Sequence, residues 1–332
     1  MKTESGRKRL IAFGLLLALS LSMATPSFGQ MDRVRVSTLP LASFLPLFVA
    51  MDKGYFEEEK VKVETAEVAI PKILAAITGG SIEVGFQTYL PVFVANEKGF
   101  DFIIIAPAVK ENIILKPGTS EIQDSANGLM VLEESGIKSM RELKGKTIGV
   151  GAVKGDIDWL SVSEMLSRNG VDPGKEINWV DLPFHLMGAS LRGKRIDAGW
   201  FVEPFKTFER EKGGVRALCF CYAELSLDPA VEVFGAVALR TWVQRNPDSV
   251  DRFVRGYRKG VDYVLGHPAE MAELIAKYTK LPPPVIKKMV VPAWTKYSEV
   301  KGVQIVHDLA LKWGLLKNKE DVRKFLHKTA LR

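Results

Sequence analysis

Two carboxylates and an indole stand close together in Gly155-Asp156-Ile157-Asp158-Trp159, and a second indole and a phenyl ring follow in Trp200-Phe201. Carboxylates accept hydrogen bonds from amines and ring N–H groups, and an aromatic face stacks on a flat ring or attracts a cation. Together these types suit a flat, neutral or cationic, nitrogen-containing molecule. They oppose an anion, by about 1–4 kcal/mol for a like charge at 4 Å. A purely structural role stands beside this one. Asp156 and Asp158 would each favour a helix N-terminus by about 0.3–1 kcal/mol, and Trp159, Trp200 and Phe201 would fill a core.

Other chemistries leave weaker traces. Gly149-x-Gly151-x-x-x-Gly155 imitates a dinucleotide fingerprint, but its spacing is one residue too long and Asp156 would oppose the pyrophosphate. There is no Gly-x-Ser-x-Gly elbow and no Walker-type phosphate loop. His185, His267, His307 and His327 lack metal-ligand spacing and read as capping or surface residues. Cys219 and Cys221 are the chain's two cysteines, which rules out a disulfide scaffold or a multi-thiolate metal centre. They fall two apart on one face of an expected strand, too constrained for an ordinary mutual disulfide. The expectation is a binding protein with no catalytic residue, no cofactor and no metal.

The elements that must position these residues are partly duplicated. Leu45-Pro-Leu-Phe-Val-Ala-Met-Asp-Lys-Gly-Tyr55 aligns with Leu90-Pro-Val-Phe-Val-Ala-Asn-Glu-Lys-Gly-Phe100 at seven identical positions of eleven. Each copy follows a strand-like run, Val34 to Leu39 or Ile82 to Gln87. Pro46 and Pro91 fit a first helical turn, where a missing N–H costs nothing, and Gly54 and Gly99 fit the left-handed position that ends a helix. Two strand–helix units of this kind begin their helices on one edge of a largely parallel sheet, the edge where open α/β sheets bind ligands. Ser43 and Thr88 fall at or near the helix N-caps, and Ser43, Phe44, Gln87, Thr88 and Tyr89 become wall residues of a site. Capping and packing explain each of them equally well.

Strand and helix patterns continue to alternate, indicating α/β layers. Residues 136–228 read as a lobe inserted into a larger one made of 30–135 and 229–332, with chain crossings near Leu132–Ile137 and Ala223–Val231. An insertion joined by two strands makes a hinge with a cleft between the lobes. Asn246-Pro247-Asp248 signals a helix start in the mostly helical end that follows the strand Val231 to Leu239, and the basic amphipathic stretch 252–265 reads as a solvated outer face.

Basic residues Lys2 to Arg9, the apolar run Leu10 to Leu21 and small residues through Gly29 have the order of a cleavable signal peptide over residues 1–29. Cleavage after Gly29 or after Ala24 fits, and an uncleaved anchor is the alternative. The formal charge is +7, of which Lys2, Arg7, Lys8 and Arg9 against Glu4 supply +3. The thin remainder gives no reason to expect nucleic acid. A composition of 47% hydrophobic and 26% charged residues excludes disorder and collagen-like structure.

Pro46 to Phe56, Gly79 to Gly85, Ser135 to Val150, Gly193 to Ala198 and Glu203-Pro204 together resemble the nitrate/sulfonate/taurine class of ABC-transporter substrate-binding proteins, which includes relatives that bind thiamine-pyrimidine precursors. The resemblance implies a two-lobe type II periplasmic binding protein fold, closing on a small molecule and docking on the membrane subunits of an ABC permease. It gives Glu203 a ligand-facing role and places 154–159 and 200–203 at the cleft. In the anion-binding relatives the first of these turns is rich in serine and threonine, whereas here it carries Asp156 and Asp158. The expected function is therefore periplasmic capture, by a monomer, of a thiamine-pyrimidine-precursor-like solute. Binding of a sulfonate, taurine or nitrate is one alternative. An exported enzyme related to pyrimidine-precursor synthases, using Cys219, Cys221 or His185, is another, and a sensing partner of a membrane receptor is a third. Cys219 and Cys221 resemble a remnant of the cysteine-rich segment of the fungal synthases, most of which is missing.

Overall fold

A computed structural model describes residues 31–332; the expected signal sequence lies outside the described residues. The first part of the chain forms β1 (Asp32–Thr38), α1 (Leu45–Asp52), α2 (Tyr55–Glu58), β2 (Val61–Glu67), α3 (Ile73–Thr78), β3 (Gly85–Thr88), α4 (Tyr89–Glu97) and β4 (Phe102–Lys110). A hairpin of β5 (Ile113–Leu115) and β6 (Ile122–Ser125) leads to β7 (Asn127–Leu132), β8 (Thr147–Val150), α5 (Ile157–Arg168), β9 (Asn178–Asp181), α6 (Phe184–Arg192), β10 (Ala198–Val202), α7 (Phe205–Glu211) and β11 (Val215–Cys219). The return runs through α8 (Cys221–Leu225), β12 (Glu232–Leu239), α9 (Arg240–Arg245), α10 (Pro247–Gly266), α11 (Met271–Thr279), α12 (Pro283–Ile286), β13 (Ala293–Trp294) and α13 (Val300–Lys312).

Two sheets share one strand order. β1 and β2 run parallel from the pair Asp32–Val61 to the pair Thr38–Glu67, and a parallel bridge from Val36 to Val84 joins them to β3. β3 then pairs with β12, β12 with β4, and β4 with β13. The first sheet therefore reads β2-β1-β3-β12-β4-β13, and the second reads β9-β8-β10-β7-β11. The strand in fourth place, β12 or β7, runs against both neighbours. The expected parallel sheet is thus interrupted by a reversed strand in each lobe, and in the first the edge strand β13 also runs against β4. β7, which a boundary at 135/136 leaves in the first lobe, hydrogen-bonds with β10 and β11 in the second sheet. Residues 111–126 and 220–231 connect the two sheets.

The duplicated segments become α1 and α4, and Gly54 and Gly99 follow them with φ of +72° and +95°. Leu45 and Leu47 and their counterparts Leu90 and Val92 are buried, as are Val49 and Phe93, whose counterparts Val94 and Phe48 are half-buried. Such apolar side chains are worth about 1.5–3 kcal/mol each when removed from water. The 252–265 helix is half core. Phe253, Val254, Tyr257 and Val261 are buried, and Phe56 stacks on Phe253 at 5.3 Å. Its charged face carries Arg255 and Lys259, paired with Glu59 at 2.8 and 2.7 Å. Among the described residues no helix is long and apolar enough to cross a membrane.

Candidate functional site

The centre of the site is the turn between β8 and α5. Asp156 has the extended backbone of an N-cap and its Oδ1 accepts from Ile157 N at 2.7 Å. Its other oxygen accepts from the Thr88 hydroxyl at 3.0 Å, a bond from the first lobe to the second. Asp158 is buried; Oδ2 accepts from Gly151 N at 2.5 Å and Oδ1 from Trp159 N at 2.7 Å. A Cβ on Gly151 would lie 2.9 Å from Asp158 Oδ2, so the close approach needs glycine. Burial raises the pKa of both carboxyls, and the charge of Asp156 raises Asp158 further. Asp156 thus caps α5 and reaches the opposite lobe, and Asp158 holds N–H groups of the turn and of the first turn of α5 within the buried interior.

Trp159, at 3% exposure, sits edge-on to Trp179 and to Trp313 of the first lobe, with centroids 6.0 and 6.2 Å apart. Trp200 is fully buried and lies 4.6 Å from the ring of Tyr222 on α8. The Nε1 of each of these indoles is buried without a hydrogen-bond partner, an expensive arrangement at about 1–3 kcal/mol per group. Phe201 points to the other side of the sheet, into a small core with Met130 and Met187. Tyr222 has its phenol pKa raised well above the usual value, by burial first and then by the charges of Asp158, Asp156 and Glu111.

Glu203 is held inside the protein. Its carboxylate accepts from Thr207 N at 3.2 Å, Thr207 Oγ1 at 3.0 Å and Val290 N at 3.3 Å, and it pairs with Lys206 at 3.2 Å. Lys206 is fully buried and also meets Asp124 at 2.7 Å and the carbonyl of Ser125. Glu111, in the first crossing, accepts from Asn127 Nδ2 at 2.6 Å and from the Ser125 hydroxyl. Burial outweighs these bonds and pushes its pKa up to about 7.

The first lobe supplies fewer free groups than its sequence offers. Ser43 lies within a short 3-10 turn, Ala42–Phe44, and α1 begins after it with no side-chain cap, so Ser43 is not an N-cap. Phe44 is core, packed on Phe86 and Phe234 at 5.4 and 5.7 Å. Gln87 is buried, donating to Ile70 O at 2.9 Å and accepting from Thr88 N at 2.8 Å, and its Oε1 competes with Asp156 for the single Thr88 hydroxyl proton at 2.9 Å. Thr88 does occupy the cap position of α4 but makes no side-chain capping bond; its hydroxyl spans to Asp156 instead. Tyr89 turns inward and donates to Glu232 Oε1 at 2.9 Å. The structure joins Thr88 to Asp156 and sets Asp158 and Trp159 in the first turn of α5, while Trp200 packs on Tyr222, which lies within electrostatic reach of both aspartates. Glu111 also lies within electrostatic reach of Tyr222, Gln87, Tyr89 and Phe44 are tied into the first lobe, and Glu203 is held across the lobes to Val290 N.

Behind the site α5 is fastened to α13. Glu164 accepts from Lys312 Nζ at 2.7 Å, Trp313 Nε1 at 3.1 Å and Arg168 Nε at 3.0 Å. Glu111 and Tyr222 were invisible to motif spacing because each belongs to a crossing; Tyr222 had one signal, its place directly after Cys221. Two expectations need correction. Cys219 ends β11 but Cys221 opens α8, so the pair does not share one strand face; both are buried free thiols with raised pKa, chiefly from burial. His307 is neither cap nor surface. It is 1% exposed between Phe93 and Phe325, and burial lowers its pKa.

Comparison with known proteins fits this architecture. The model of the family described as "NMT1/THI5 like" matches residues 42–271. A 4-amino-5-hydroxymethyl-2-methylpyrimidine phosphate synthase of Aspergillus parasiticus is 26% identical over 248 residues, covering 69% of this chain and 65% of that protein. The Saccharomyces cerevisiae synthase THI13 is 24% identical over 245 residues, covering 70% and 66%. The chain thus spans slightly less than two thirds of the length of either relative. Among solved structures, the periplasmic aliphatic sulphonate binding protein SsuA of Escherichia coli aligns with a TM-score of 0.69 and 21% identity, over 89% of this chain and 97% of that one. This bears out the two-lobe periplasmic binding fold. The expectation that the protein is not an enzyme is overturned, since the curated relatives carry the names of enzymes.

Proposed function

Because this chain belongs to the NMT1/THI5-like family, we propose that it takes an aminopyrimidine of the thiamine-precursor class between its two lobes. The observation that carries the reading is the pair of buried carboxyls at the start of α5, Asp156 and Asp158, with Asp156 bonded across the lobes to Thr88. A 4-aminopyrimidine offers amine donors to carboxyl oxygens and ring nitrogens that accept from an indole or take up a proton. Its flat face suits the Trp200–Tyr222 pair. The Thr88–Asp156 bond opens to admit the ligand and is replaced by ligand contacts in the closed state.

Two roles follow from such a site. The fold, together with the charged, apolar and small-residue order of residues 1–29, supports periplasmic capture and presentation to an ABC permease. The names of the curated relatives support chemistry on the pyrimidine itself, a second reading that the sequence similarity favours. Titration calorimetry with 4-amino-5-hydroxymethyl-2-methylpyrimidine, followed by mass spectrometry of the released compound, tests both. Saturable binding that Asp158→Asn weakens about 10- to 100-fold, the range of a charge-assisted hydrogen bond, supports the site. Unchanged ligand supports delivery, and a modified product supports synthesis. Binding confined to taurine, nitrate or an alkanesulfonate overturns the aminopyrimidine assignment.

A further inference from the structure

Thr88 stands at the first-lobe end of a contact between the lobes, and its hydroxyl has one proton for two oxygens. Gln87 Oε1 lies 2.9 Å from Thr88 Oγ1, and Asp156 Oδ2 lies 3.0 Å from it. Gln87 cannot turn to relieve this. Its Oε1 also accepts from Thr88 N at 2.8 Å and its Nε2 donates to Ile70 O at 2.9 Å, so a flipped amide would break two bonds. If the Thr88 proton goes to an ionised Asp156, Gln87 Oε1 is left facing a lone pair at hydrogen-bond distance. If it goes to Gln87, an ionised Asp156 meets that lone pair instead. The contact is complete only with a second proton, and the Asp156 carboxyl is the member that can carry it.

Among the described residues no cation pairs with Asp156 to hold it ionised. Its Oδ1 accepts from Ile157 N at 2.7 Å and its Oδ2 meets Thr88. From the first lobe it is met by the uncharged Thr88, with the uncharged Gln87 behind. Asp158 on α5 and Tyr222 on α8 lie within its electrostatic reach, and neither brings positive charge. Lys154, in the turn before α5, is exposed and forms no ion pair among the described residues. The Ile157 N–H favours the carboxylate and burial favours the neutral acid, and burial prevails.

We infer that a proton on Asp156 locks the two lobes together in the ligand-free protein, and that its loss frees them to open. In the locked form the donors run one way, from Asp156 Oδ2 to Thr88 Oγ1, from Thr88 Oγ1 to Gln87 Oε1, and from Gln87 Nε2 to Ile70 O. The second lobe is thereby tied to the turn that leads into α3. The ionised form breaks this run at Thr88 and sets at the lobe contact a charge that water solvates better. The inference goes beyond the aminopyrimidine reading, since it holds whichever molecule the cleft admits. Entry becomes easier as pH rises, because a larger fraction of the protein is open to receive a ligand.

The test uses the whole ligand-free protein. Carboxyl-carbon NMR, with the Asp156 signal identified by its loss in Asp156→Asn, should give a titration midpoint of about 6. Gln87→Met removes the competing oxygen and frees the Thr88 proton for the carboxylate. The midpoint should then fall by about half a unit or more, roughly threefold in proton affinity. An unchanged or raised midpoint overturns the inference, because Thr88 then already donates to Asp156. Small-angle scattering is the second readout and stands should Gln87→Met fail to fold. The radius of gyration of the unmodified protein should be larger at pH 8 than at pH 5. Asp156→Asn, whose amide donates to Thr88 at either pH, should stay compact at both. A radius that does not change with pH in the unmodified protein, or a variant that expands as the unmodified protein does, overturns the inference.

Discussion

A carboxylate that accepts two backbone N–H bonds is ordinarily easy to ionise, yet Asp158 is pushed the other way by burial and by Asp156. Glu111 and Glu232 behave alike: burial lifts each to about 7 against an ordinary value of 4.5. The sign of the consequence is fixed. Between roughly pH 4 and 7 the folded protein keeps protons that the unfolded chain has lost, so stability is fully present below the unfolded pKa and declines as pH rises through 7. We expect the ligand-free protein to melt at higher temperature at pH 5 than at pH 8, and Glu232→Gln to flatten that dependence in a thermal-melt series. Lys206→Met leaves Asp124 and Glu203 without their buried cation and should cost about 3–5 kcal/mol in urea unfolding. At this scale the sequence spoke through residue types: two aspartates and a tryptophan at the start of α5 and a tryptophan in β10 mark the candidate site. It stayed silent on Glu111, whose role depends on Asn127 and Ser125 folding back beside it, and it gave no sign that Lys206 would claim Glu203.

Helix α1 lies so close to α10 that a Cβ on Gly260 would stand 2.1 Å from the Pro46 carbonyl oxygen. Gly260→Ala should therefore destabilise the first lobe by about 1–3 kcal/mol, the usual cost of overpacking, with a lower unfolding midpoint and an unchanged m-value. The elements themselves were well marked in the chain. The repeated segment fixed α1 and α4 because proline, apolar spacing and glycine all agree there, and Asn246-Pro247 starts α10, although the asparagine amide donates back to Trp242 O at 2.8 Å and does not cap. Strand direction was not marked. β7 and β12 read as ordinary apolar strands, and only their long-range pairing shows that they run against their neighbours.

Bonds between the lobes include Thr88 to Asp156, Glu203 to Val290 N, Lys288 to Glu211, and Glu164 to Lys312 and Trp313. Glu164→Ala removes the last set and should shift the ligand-free protein towards an open form. Small-angle scattering should then show a larger radius of gyration for the variant that contracts on adding ligand; identical profiles would count against a closing motion. The two-lobe plan was legible from alternating elements and an inserted segment, but the division at 135/136 ran past β7, because a strand's sheet is decided by its partners and not by its composition. Those partners carry a consequence. β7 and β11 bound the inserted segment and pair side by side, Leu132 with Val215 and Leu129 with Cys219, so the segment leaves and re-enters the rest of the chain at neighbouring points. A half built this way is an exchangeable module. Replacing it with the equivalent stretch of a relative would import that relative's ligand preference while the frame that carries it stays threaded as before.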